Sequence, residues 1–151
     1  MSGVGQVKSM AGECGRLPRR QDTVTADVLA RLMSGEQMTG LEAVIDSSTT
    51  RLAAFVWYLQ EAYGWTINRT DKLVNCKDGR SATVTVYFLA PDVIGRAAAA
   101  GDSAWCADVR VARRALRAKV AEARRRAVTA NSARKRQPHA GQYNLFDGGA
   151  A

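Results

Sequence analysis

The sequence predicts a small α+β domain. Three segments with helical period are followed by two strand-like runs joined near an Asp78-Gly79 pair, and a basic, alanine-rich stretch follows them. Three helices and then a β-hairpin is the order of a winged helix–turn–helix. The expected boundaries are a basic, disordered arm over 1–21, the domain over 22–96, a basic helix over 97–128 and a disordered tail over 129–151.

The first helix is read from Val28, Leu29, Leu32 and Met33, which recur at helical spacing until Ser34-Gly35 stops the run. Thr39-Gly40-Leu41-Glu42 then has the form of a capping box, with Thr39 as cap and Glu42 reaching back. Leu41, Val44 and Ile45 give the second, short helix an apolar edge. Asp46-Ser47-Ser48-Thr49 interrupts, since these side chains compete with the backbone for hydrogen bonds and favour turns and caps. A third helix is expected from Thr49 to Tyr63. Leu52, Phe55, Val56, Leu59 and Tyr63 fall on one side of it at 100° per residue, and Gly64 suits a left-handed stop.

After Gly64 the period shortens. Trp65-Thr66-Ile67 and Lys72-Leu73-Val74 read as short strands, and Thr83 to Leu89 as a longer one rich in β-branched and aromatic residues. The Asp78-Gly79 pair favours a two-residue hairpin turn. Pro91 ends the sheet segment. A last helix is expected from about Ser103 to Val128, with a thin apolar stripe of Trp105, Val109, Ala112, Leu116 and Val120 among many arginines. Trp105 and Val109 are expected to dock on the domain while the arginine-rich remainder projects. At about 25 cal/mol per Å² such a stripe supports only weak pairing of two copies.

The net charge is +8 over 151 residues, and it is unevenly placed: +3 over residues 1–20, −2 over 21–96 and +7 over 97–151. Positive ends on a near-neutral body raise affinity for a polyanion without selecting its sequence. Cys14, Cys76 and Cys106 have no paired spacing, which argues against a disulfide framework and against zinc. The one histidine, His139, lies in the tail. No cluster of histidine, cysteine and carboxylate appears, nor a phosphate-binding glycine loop, so neither enzymatic chemistry nor a cofactor is expected. No apolar run approaches membrane-spanning length, and a reducing bacterial cytoplasm, at the nucleoid, is the expected location.

On this arrangement the third helix would enter the major groove, about 12 Å wide, with the outer face that its buried side leaves free. The expected double-stranded DNA contacts there are Ser47, Ser48, Thr50, Arg51, Ala54 and Tyr58. Small hydroxyls permit close approach, and a forked guanidinium can engage guanine bidentately. Lys77 and Arg80, at the hairpin tip, would meet the phosphate backbone. Trp57 also falls on the outer side, where it would pack on the wing or an arm or contact a second copy, although core packing is the expected role of a tryptophan.

The stretch from Thr23 to Leu89 resembles small helix–turn–helix proteins of bacteriophages and prophages. Their cues are an LTxLEAL second helix, an xxRLAAxIxxLR third helix and a GWxI strand; here these are MTGLEAV, TTRLAAFVWYLQ and GWTI. The resemblance implies a winged helix that binds DNA, often in gene regulation. One departure is Gln60-Glu61, where the family commonly has a basic residue after the third helix's last leucine. A second resemblance lies in the tail. Gln142 to Phe146, QYNLF, is similar to the bacterial sliding-clamp-binding peptide, in which a glutamine, two looser positions and Leu-Phe recur. The resemblance implies that Gln142 bonds at a pocket rim and that Leu145 and Phe146 fill an apolar cavity. Tyr143 departs from the frequent leucine. This is the basis for expecting the sliding clamp as a second partner.

Overall fold

In a computed structural model, the structure describes residues 14–136. They form an α+β arrangement of α1 (Val24–Met33), β1 (Met38–Thr39), α2 (Gly40–Asp46), α3 (Leu52–Tyr63), β2 (Asn68–Asn75), β3 (Ser81–Phe88), α4 (Pro91–Ala99), α5 (Asp102–Arg117) and α6 (Val120–Arg136). The chain divides into one compact unit through Arg114 and a second from Ala115 onward. No helix among the described residues is long and apolar enough to cross a membrane.

The first unit is built around α1. Thr23 caps it by accepting from the Ala26 amide, and Val28, Leu29, Leu32 and Met33 are all buried, as their spacing predicts. Gly35 follows with φ +84°, a conformation that costs glycine nothing. The capping box at α2 has both arms in place: Thr39 accepts from the Glu42 amide, and the Glu42 carboxylate accepts from the Thr39 amide. α3 lays Leu52, Val56 and Leu59 into the core and ends at Gly64 in the left-handed region.

Several expectations are corrected. α3 starts at Leu52 rather than Thr49, because Ser48 takes a left-handed φ of 58° and Thr49 folds its hydroxyl back onto the Arg51 amide. The apolar edge of α2 is not packed. Only Ala43 is buried, while Leu41 and Ile45 are 72% and 73% exposed.

Trp65-Thr66-Ile67 is not a strand. Trp65 and Ile67 turn inward as core residues, and pairing begins at Asn68. β3 lies between β2 and β1, antiparallel to both; the β1 pairing of Met38 with Tyr87 has no counterpart in the sequence reading. The hairpin loop holds three residues rather than two. Gly79 N–H donates to Cys76 O, and Cys76 N–H donates to Arg80 O, so Lys77 and Asp78 turn and Gly79 closes at φ +83°.

Pro91 does end the sheet, and it also begins a helix, as its missing N–H allows at a first turn. α4 buries Val93 and Ala97, and α5 buries Cys106 and Val109, against the same core. The single long basic helix is instead two, parted at Ala118 and Lys119. α6 continues past Thr129 to Arg136, so the start of the expected tail is helical. All the described side chains of α6 are exposed, and Arg124, Arg125 and Arg126 make it strongly basic.

The described part of the expected disordered arm is packed rather than free. Arg16 N–H donates to Tyr63 O at 2.7 Å, and Trp65 Nε1–H donates to Arg16 O at 2.8 Å. Trp105 Nε1–H donates to Pro18 O at 3.3 Å, which fits the expected docking of the last helix through Trp105 and Val109. Residues 14–20 are therefore a strap across the domain, held by two indole rings.

Candidate nucleic-acid interface

The local folding of the α2–α3 turn decides what α3 presents. Ser47 and Thr49 amides both donate to Ala43 O, which closes α2 and swings the chain into α3. Ser47 is thereby 0% exposed, and its Oγ has no hydrogen-bond partner among the described residues. It is removed from the expected contact set. The helical wheel had extended α3 backwards through a turn that is not helical. Ser48, raised into the left-handed region, is exposed instead.

Ala54 and Tyr58 are exposed on α3, away from Leu52, Val56 and Leu59, and Thr50 and Arg51 are exposed in the turn that leads into it. Trp57 joins them at 62% exposure and is not in the core. The helix is about 18 Å long at 1.5 Å per residue, enough to lie along a groove. Arg51 is its N-cap residue, and its donor-only guanidinium leaves the first amides of the helix without a side-chain cap. Glu61 is the one acidic side chain of this helix, at its far end.

Gln60 Nε2 donates to Ile67 O at 3.1 Å, tying α3 to the segment just before the hairpin. A groove of 630 Å³ lies among α2, the start of α3 and the sheet, lined among others by Leu41, Thr50, Ala53, Lys72 and Val84. Lys77 and Arg80 are exposed at the hairpin tip. They are not equivalent. Arg80 Nε donates to Asp78 Oδ2 at 2.6 Å, and this bond holds the Asp78 carboxyl below the usual carboxylate range. Arg80 would have to exchange that partner for a phosphate, whereas Lys77 need not. Lys72 and Arg69, exposed along β2, add positive charge that the sequence reading did not assign.

The expected clamp peptide, Gln142, Leu145 and Phe146, lies outside the described residues. No three or more potential ligating side chains come together among the described residues to hold a metal ion. No family model, curated protein or solved structure matches this chain.

Proposed function

We propose that the protein is a non-enzymatic, sequence-selective binder of double-stranded DNA, a winged helix–turn–helix regulator of the phage and prophage kind. The observation that carries this reading is the outer face of α3. Ala54 and Tyr58 are presented to solvent by a helix whose other side is sealed, with Thr50 and Arg51 exposed in the turn that leads into it. The order α1-β1-α2-α3-β2-β3 supports the same reading, since a short strand before α2 closes the sheet of such a domain. Mechanistically, Arg51 reads a base edge, the Thr50 and Ser48 hydroxyls meet phosphate or base, and the hairpin tip rests on the backbone. Basic α6 adds affinity without selection.

The test is Arg51→Ala, assayed against a duplex selected from a random library by the wild-type protein and against its scrambled counterpart. Discrimination is expected to fall by about 1–3 kcal/mol, or roughly 5- to 150-fold, with thermal stability unchanged. Equal discrimination by both proteins would remove α3 from the reading role.

A second reading rests on QYNLF at Gln142 to Phe146, which fits a replication-linked adaptor that recruits or occupies the bacterial sliding clamp. Leu145→Ala with Phe146→Ala is expected to abolish clamp association in a pull-down or calorimetric titration and to spare DNA binding. No clamp association by the wild-type protein at tens of micromolar would end this second reading.

A further inference from the structure

The strap over residues 14–20 brings three arginines to the far end of the α3 face. A cleft of 590 Å³ opens there, lined by Arg16, Arg19, Arg20, Thr23, Tyr58 and Tyr63 among others. The two tyrosine rings meet edge to face at 5.4 Å. Tyr58 belongs both to this cleft and to the exposed side of α3, so the two surfaces are continuous.

We propose that this cleft is a phosphodiester-binding site that grips the DNA backbone beside the groove α3 enters; it rests on the DNA-binding reading above. The backbone of the strap is fixed ahead of Arg19 and Arg20 by Trp65 on Arg16 O and Trp105 on Pro18 O, and behind them by Arg113 on Asp22 O at 3.2 Å. Arg19 and Arg20 therefore leave from an anchored chain and lose little backbone freedom on binding.

Their present partners differ. Arg16 spends one Nη on Ala62 O at 2.7 Å, and Arg20 pairs with Asp22 at 3.1 Å, the carboxylate beside the cleft. Arg19 has no side-chain partner among the described residues. A guanidinium fork matches phosphate oxygens in pairs, and the Tyr58 ring lines the same cleft, whereas the Thr23 hydroxyl is engaged by Arg20 O and the Ala26 amide.

Geometry selects a duplex as the source of that phosphate. Arg51 and Tyr58 are separated along α3 by about 10 Å, at 1.5 Å per residue. The major groove is about 12 Å wide, so a helix with Arg51 among the base edges brings Tyr58 and the strap to a flanking phosphate rail.

The experiment uses the full-length protein and its Arg19→Gln/Arg20→Gln variant, both side chains being exposed. Fluorescence anisotropy follows binding to the selected and scrambled duplexes, and to a single strand of equal length, from 50 to 200 mM KCl. Loss of two phosphate contacts is expected to make the log–log salt slope shallower by about 1.8 on both duplexes, with their affinity ratio unchanged. An unchanged slope, with selective and Arg51-dependent binding intact in the wild type, overturns the strap site and leaves the α3 reading standing. A reduced affinity ratio instead shows that these arginines read bases, which also overturns it. Tighter wild-type binding to the single strand than to the duplex, or no wild-type binding to duplex at all, sinks the proposal together with the reading it rests on.

Discussion

Trp65→Ala is expected to lower stability by about 3–5 kcal/mol, the usual cost of truncating a large buried aromatic. Trp65 is 2% exposed and belongs to the core cluster beneath the strap. Its indole N–H is the donor to Arg16 O, so truncation leaves a cavity and also frees the strap at its first anchor. The packing above the ring is close enough to test from the other side. A Cβ added at Gly15 would lie 2.5 Å from Trp65 Cδ1, far inside contact distance, with a buried ring on one side and backbone on the other. Gly15→Ala is therefore expected to destabilise by about 1–3 kcal/mol through overpacking. Trp57→Ala supplies the contrast: at 62% exposure it is expected to change stability by no more than about 0.5 kcal/mol. Urea unfolding followed by circular dichroism measures all three. A Trp65→Ala loss no larger than that of Trp57→Ala would show that the strap and ring are not packed as described.

Arg113→Ala is expected to cost about 2–4 kcal/mol. Arg113 ties α5 to two loops at once. One Nη donates to Asp22 O and the other to Ser47 O, each at 3.2 Å, and Nε lies 3.9 Å from Asp27 Oδ2. Its removal strands a carbonyl at the start of α1 and another at the α2–α3 turn. The Asp27 carboxylate keeps Arg31, at 3.3 Å, so the penalty stays below that of a fully orphaned buried charge. Arg113→Lys is expected to recover little, because a single ammonium cannot span two carbonyls as a planar fork does. Full recovery by lysine in thermal or urea unfolding would mean that charge alone, not the fork, holds the turn. Since Ser47 O sits in the turn that sets the start of α3, the same variant is expected to weaken selective DNA binding in proportion to its loss of stability.

The features legible in the sequence were those set by local period and local chemistry. α1 and the buried side of α3 follow from apolar spacing, the capping box from Thr39 and Glu42, and the stop of α3 from Gly64. What was missed depends on contacts distant in sequence or on elements too short to show a period. β1 has two residues, and only its pairing with β3 defines it. Trp65 looks like a strand residue until a segment 49 positions earlier covers it. Pro91 marks a stop in the sequence and is also a start in the fold, because proline serves both purposes.

Ser47 was misplaced because a helical wheel carries no information about where a helix begins. Arg113 could not be told from its neighbours, since burial of one arginine among several is decided by the packing of α5 on α1 and not by composition. On the candidate site, Ala54 and Tyr58 have the exposure the wheel predicts, while Thr50 and Arg51 are exposed from the turn before the helix. The strap arginines were seen only as charge, because nothing in Arg16 to Arg20 announces that two distant tryptophans would hold that segment in place.

The most direct measurement is a titration of the isotopically labelled, full-length protein with the selected duplex, followed by backbone amide chemical shifts. The largest changes are expected at Ser48 to Tyr58 and at Lys77 to Arg80. Changes confined to α6, with the amides from Ser48 to Tyr58 unmoved, would contradict the reading role of α3.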